Sequence, residues 1–206
     1  MKKLFLILII GTLFFSCKKE RTFHITAKNA VTGEPYPGLS YNIERSWSGS
    51  FENKYKTVGS GVLDENGEVY FTKRLHKNSS YSISVAAPSN TCYMNSSDLH
   101  AGGEKNFKAE FEFAECAYLK LNIHNINCQS PTDSMRFRSK YDYENQWQGW
   151  TTYRKGCYDF DSPDYFKVSQ GTRMYEWEVI RNGNKTTHSG SVLLNKGAYE
   201  TFEINY

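Results

Sequence analysis

The sequence predicts an all-β protein built as two tandem antiparallel β-sandwich domains. Three observations carry that prediction. Apolar residues alternate with polar ones in run after run, clusters of Gly, Pro, Asn and Asp separate the runs, and no stretch beyond the first twenty residues keeps a helical period.

The first strand is Thr22 to Lys28, where Phe23, Ile25 and Ala27 share one face. Thr32-Gly33-Glu34-Pro35-Tyr36-Pro37-Gly38 follows, and its two prolines and two glycines exclude helix. Leu39, Tyr41 and Ile43 alternate in a second strand. Val58 to Leu63 and Val69 to Phe71 read as a hairpin around Asp64-Glu65-Asn66-Gly67. Tyr81, Ile83 and Val85 mark the next strand, and Phe107, Ala109, Phe111 and Phe113 another. A domain boundary is expected near Ala114 to Cys116, giving domains of 22–115 and 116–206. Leu119, Leu121 and Ile123 open the second. Met135, Phe137, Tyr141 and Tyr143 then share one face, with Arg136, Arg138, Lys140, Asp142 and Glu144 on the other. Tyr175, Trp177 and Val179 lead to Asn182-Gly183, a favoured hairpin dipeptide because both positions tolerate positive φ. Ser191 to Leu194 follows, and Phe202, Ile204 and Tyr206 close the chain on one face.

The stretch from Thr22 to Ala114 resembles the carboxypeptidase regulatory-like, or transthyretin-like, β-sandwich. Thr32 to Gly38 matches that family's Thr-Gly-x-Pro-x-Pro-Gly turn, and Asp64 to Gly67 matches its D-x-N-G turn. The segment 46–57, with Trp47 and Gly49, is longer and more polar than the pattern. The resemblance implies a structural or binding module attached to something else, and fold alone assigns no chemistry. Residues 116–206 are similar in general plan to immunoglobulin or fibronectin domains.

The opening residues set the expected location. Lys2 and Lys3 precede an apolar run from Leu4 to Phe15, too short for a membrane span of roughly 20 residues but laid out as a secretory signal. Leu13-Phe14-Phe15-Ser16-Cys17 resembles a bacterial lipoprotein signal, which implies a signal peptide of 1–16, lipid on Cys17 and a short tether over 17–21. Lys18 is not the aspartate that in some bacteria implies inner-membrane retention, so the outer membrane is expected. Lys18-Lys19-Glu20 loosely resembles Bacteroidetes surface-export signals, which carry more acidic residues.

Composition narrows the function. Aromatics at 16% and charged residues at 23% describe a folded protein. The formal charge of +3 falls to +1 once Lys2 and Lys3 leave with the signal, without the basic excess of a nucleic-acid binder. Beyond Cys17, four cysteines remain: Cys92, Cys116, Cys128 and Cys157. An even number in an oxidising compartment implies two disulfides. Three connectivities exist, and Cys92–Cys116 with Cys128–Cys157 is preferred because both loops stay local. The gaps of 24, 12 and 29 residues do not suit structural zinc.

The candidate binding patch is Tyr141 to Tyr153, and Tyr143, Trp147, Trp150 and Tyr153 would stack on sugar rings if exposed. Core or strand packing is the preferred assignment. Trp147 and Trp150 have opposite parity and would point to opposite sides of an unbroken strand. Asp159, Asp161 and Asp164 read as a turn rather than a calcium loop. The five histidines, His24, His76, His100, His124 and His188, show no close metal-ligand spacing, and no G-x-S-x-G elbow exists. Asp133-Ser134-Met135 resembles a short Bacteroidetes O-glycosylation signal of the kind that arises by chance.

The sequence therefore predicts a non-enzymatic outer-membrane lipoprotein without cofactor or metal. It is expected to be held by lipid on Cys17 and to serve as a structural or protein-interaction module with an envelope protein partner. The alternative is a cell-surface glycan binder using Trp147 and Trp150.

Overall fold

A computed structural model describes residues 18–49, 52–77, 79–97, 99–101 and 104–206. The expected signal peptide, residues 1–16, and Cys17 lie outside the described residues, as does the side chain of His100. The described residues hold strands and no helix, so the fold is all-β. They divide into two compact units. One runs to Pro88 and adds Met94–Phe113; the other joins Ser89–Tyr93 to Ala114–Tyr206.

In the first unit, β1 (Lys18–Asn29) lies between β4 (Glu68–His76) and the first part of β8 (Asn106–His124). The β1–β4 pair is antiparallel, but Thr22–Asn29 pairs in parallel with Asn106–Phe113. That corrects the expectation of a purely antiparallel sandwich. Alternation is the same beside a parallel or an antiparallel neighbour, and the long connection between β1 and β8 permits the parallel arrangement. The second sheet has the order β3 (Asn53–Val62), β2 (Ser40–Ser48), β5 (Ser80–Val85), β7 (Leu99–Ala101). Within the longer 46–57 segment, residues 46–48 pair with 53–55 at the far end of the β2–β3 ladder, which carries a register shift between Ile43 and Glu44.

Aromatic and aliphatic side chains from both sheets make this unit's core. Phe23 stacks on Phe71 at 4.9 Å and meets Phe107 edge-on at 5.0 Å, while Tyr81 of the other sheet reaches Phe107 at 5.5 Å. Each fully buried aromatic contributes about 1.5–3 kcal/mol from apolar burial.

Two further expectations need correction here. Lys18 to Arg21 is not a tether, because it continues β1 opposite Lys73 to His76. Backbone pairing holds the strand there whatever the polarity of its side chains. Val58–Leu63 and Val69–Phe71 do not form a hairpin either: β3 pairs with β2, and β4 with β1, so the turn between them crosses from one sheet to the other. The turn itself is built as its residues require. Asp64 Oδ1 accepts the amides of Asn66 and Glu68 at 2.9 and 3.0 Å, and Gly67 takes φ +65°. It docks on the Thr32–Gly38 turn through Ala27: Ala27 N donates to Gly67 O at 2.9 Å, and Tyr36 N donates to Ala27 O at 3.0 Å.

In the second unit, the later part of β8 pairs antiparallel with β11 (Asp159–Asp161) and β12 (Phe166–Ser169), and in parallel with β15 (Tyr199–Asn205). The facing sheet has the order β10 (Arg154–Lys155), β9 (Ser134–Tyr141), β13 (Gly171–Arg181), β14 (Asn184–Leu194). Asn182 and Gly183, at φ 49° and 79°, join β13 to β14 as the sequence predicts. Leu119, Ile123, Met135, Tyr175, Leu194 and Ile204 are buried between these sheets. Tyr175 stacks on Phe202 across them at 4.5 Å.

Both disulfides belong to this unit. Cys92–Cys116, which ties β6 (Thr91–Ser97) to β8, and Cys128–Cys157 have Cα separations of 4.9 and 5.2 Å, within the usual range. The first explains why Ser89–Tyr93 joins a unit distant in sequence. Beside the bridge, Cys116 N donates to Asn90 O at 3.0 Å, and Tyr93 packs on Tyr143 at 4.7 Å.

Candidate functional site

The predicted patch sits on the outer face of β9 and β13. Register sets Arg136 opposite Glu178 and Arg138 opposite Glu176, so each cation meets a carboxylate directly across the strands. Arg136 Nε donates to Glu178 Oε2 at 2.6 Å, and Arg138 Nη2 to Glu176 Oε2 at 2.7 Å. Lys185 of β14 takes the other oxygen of Glu178, and the Tyr153 hydroxyl donates to Oε2 at 3.2 Å. Glu178 is only 6% exposed, yet Arg136 and then Lys185 hold its carboxyl down to about 2.

The chain from 142 to 153 then folds back along β9. Gln148 N donates to Ser139 O at 3.0 Å, and Thr151 N to Phe137 O at 2.9 Å. This lays two indoles over the cations. Arg138 stands 5.0 Å from the Trp147 ring and 4.5 Å from the Trp150 ring. Arg136 lies 4.6 Å from Trp150 and 4.7 Å from Tyr153, and Lys140 lies 5.4 Å from Trp147. The parity reading is corrected here. Residues 142–153 hold no strand, so both tryptophans reach the same arginine.

Trp147 and Trp150 are half-buried, and Tyr153 is exposed. The indole face that a guanidinium covers is closed to a sugar ring, so stacking would have to use the other face. Tyr143 does not join them. It stacks on Tyr141 at 5.1 Å, and its hydroxyl donates to Ser169 Oγ at 2.6 Å, where burial pushes its pKa up.

A second aromatic surface escaped the sequence reading. On the outer face of the β8–β15 pair, Tyr118 and Tyr199 stack at 4.4 Å, and Tyr165 meets Tyr199 edge-on at 5.2 Å. Tyr199 is 61% exposed and Tyr165 42%. One signal was available. Tyr118 falls on the outward parity against Ala117 and Leu119, and Tyr199 on the outward parity against Phe202 and Ile204.

His124 is bracketed by acids on β11, with Nδ1 2.6 Å from Asp159 and Nε2 3.5 Å from Asp161. Its hydrogen bond to Asp159 is the main cause of a raised pKa. The Asp164 backbone carbonyl accepts from Ser162 Oγ at 2.9 Å. Asp133 is fully buried, accepting from Gln129 N at 2.9 Å, and Ser134 is buried beside it, which is the wrong setting for glycosylation. Among the described residues no group of three His, Cys, Asp or Glu side chains is placed to hold a metal ion, and no helix is long and apolar enough to cross a membrane.

No family model and no curated protein matches the chain. Among solved structures it is similar to the shaft pilin SpaA of Lactobacillus rhamnosus GG, at 10% identity and TM-score 0.32 over 91% of this chain and 98% of that one. It is similar also to the minor pilin of Streptococcus agalactiae, at 13% identity and TM-score 0.33 over 90% and 94%. A streptococcal ancillary pilin matches at 12% identity and TM-score 0.33 over 90% and 62%. Likeness at this level carries nothing about partners or activity.

Proposed function

We propose that the chain is a non-enzymatic lipoprotein of the outer membrane, held by lipid on Cys17, whose second unit binds an envelope protein partner. The observation that carries the partner-binding part of this reading is the tyrosine cluster in which exposed Tyr165 and Tyr199 gather with half-buried Tyr118. Clustered exposed aromatics mark interaction surfaces, and tyrosine is enriched at protein interfaces. The first unit fits a carboxypeptidase regulatory-like module, with Gly33 and Gly38 at φ 75° and 72° where that family's turn has its glycines. The second unit fits an immunoglobulin- or fibronectin-like plan in its two facing sheets.

Crosslinking the lipidated protein in its own membranes, followed by mass spectrometry, tests the reading. One reproducible partner is expected, and it should be lost from a Tyr165→Ala/Tyr199→Ala variant that folds normally. Capture unchanged by that variant, or turnover abolished by a single side-chain substitution, would overturn it. A Cys17→Ser chain should be released from membranes washed in high salt, which the lipidated chain withstands.

Glycan binding is the second reading, favoured by the gathering of Trp147, Trp150 and Tyr153 on one surface. It requires that Trp147→Ala and Trp150→Ala weaken binding to a polysaccharide panel.

A further inference from the structure

The first unit carries a cationic recess that the interaction reading does not use. Its walls come from both sheets: Lys18 of β1, Lys73, Arg74 and His76 of β4, Arg45 of β2 and Lys56 of β3. No lining residue carries a carboxylate. Glu20, opposite Arg74 in the β1–β4 ladder, offsets only part of this charge.

The recess is built rather than incidental. Lys18 stands opposite His76, and Arg45 opposite Lys56, so strand register fixes cations on each wall. Arg45 is further held by its Nε donating to Ser79 Oγ at 2.8 Å and by the Trp47 ring 4.4 Å away. Tyr81 closes the floor, its hydroxyl donating to His76 O at 3.0 Å. Burial first, then the charges of Arg45 and Lys18, lower the pKa of His76. Like charges gathered this way repel one another, and an anion relieves that repulsion.

We infer that this recess binds the phosphate of anionic lipid headgroups at the membrane that carries the protein. Position selects the lipid source. Lys18 lines the recess and immediately follows Cys17, and because Lys18 is already in β1, no tether separates a lipidated Cys17 from this surface. The choice of a lipid source rests on the lipoprotein reading; the anion site itself does not.

The test uses the mature chain 17–206 with Cys17→Ser, which keeps every described residue and binds vesicles only through its own surface. It is mixed with vesicles of 30 mol% phosphatidylglycerol in phosphatidylcholine, with pure phosphatidylcholine vesicles, and with inorganic phosphate or pyrophosphate. Binding to the anionic vesicles should fall with added salt, be displaced by pyrophosphate and be absent on phosphatidylcholine. Lys56→Gln/Lys73→Gln, both exposed strand positions, should weaken it about 10-fold or more. The charge-matched pair Lys120→Gln/Lys167→Gln should leave it within about 2-fold, as two cations outside the recess. Equal loss in both pairs, or equal binding to neutral vesicles, would overturn the site. Phosphate binding without vesicle binding would overturn the lipid source. Retention of the native chain, and release of the Cys17→Ser chain, when cell membranes are washed in high salt tests the lipid anchor separately.

Discussion

Glu178→Gln isolates what the charge ladder of the second unit contributes. The substitution keeps the side chain's shape and removes its charge, leaving Arg136 and Lys185 without a carboxylate. A hydrogen bond to a charged group contributes about 1.5–3 kcal/mol. Arg136 and Lys185 have side chains 26% and 49% exposed, so both can rehydrate, and Gln still accepts from Arg136. The expected net cost at pH 7 is therefore about 1–3 kcal/mol, below that of breaking a fully buried pair. The sign with pH follows from a carboxyl held down to about 2 in the folded state. Its contribution is complete above the ordinary carboxyl value of about 4.5 and is lost as pH falls from there towards 2. Urea unfolding followed by tryptophan fluorescence at pH 7, 5 and 3 measures this, because Trp147, Trp150 and Trp177 all report on the second unit. The gap between the native chain and Glu178→Gln should be equal at pH 7 and 5 and clearly smaller at pH 3. A gap below about 0.5 kcal/mol at pH 7, or one that is constant down to pH 2.5, would refute the assignment.

Three further outcomes are expected. Gly67→Ala should destabilise the first unit by about 2–4 kcal/mol in denaturant melts, since an added Cβ lies 2.7 Å from Ala27 O at φ +65°. A chain that accepts alanine there unchanged would refute the close approach of Gly67 to the Ala27 carbonyl. Intact mass with and without reductant should differ by two bridges, and Cys128→Ser/Cys157→Ser should cost up to about 3–4 kcal/mol for a loop closed across 29 residues. Four native thiols open to alkylation would contradict both bridges. His124 should titrate above the ordinary 6.5 by NMR, so its pairing with Asp159 stabilises the fold below that value and is lost as pH rises through the raised pKa. A midpoint at or below 6.5 would remove Asp159 as its partner.

The strands that sequence revealed most clearly are those whose two faces differ most. Phe107, Ala109, Phe111 and Phe113 are all buried, as alternation predicts, and Arg136 and Arg138 sit on the wet face of β9 opposite Met135 and Phe137. Asn182-Gly183 specified its hairpin because two consecutive positive φ angles exclude most other residues. These signals are local. Each depends on a residue and its near neighbours in the chain, which is all that a period of two or a turn dipeptide encodes.

Partner choice is not local, and that is where the reading failed. Asp64 to Gly67 announced a turn, but nothing in it says whether the chain returns along the strand it left or crosses to the facing sheet. Gly67 looks interchangeable with any turn glycine until Ala27 O is found 2.7 Å from the place where its Cβ would be. The tryptophan patch shows the same limit. Parity sent Trp147 and Trp150 to opposite sides only on the assumption of an unbroken strand, and the hydrogen bonds from Gln148 and Thr151 to the β9 backbone replace that strand with a strap. The tyrosine cluster was missed for the converse reason. Tyr118 and Tyr199 each show one outward aromatic among polar neighbours, which by itself calls for no explanation. They become a surface only because β15 lies parallel to β8 in a register that sets Tyr199 beside Tyr118, and a shift of one residue would turn Tyr199 inward. The partner-binding surface proposed for this protein is thus a property of strand register, and Tyr199 carries functional information only through the neighbour that register gives it.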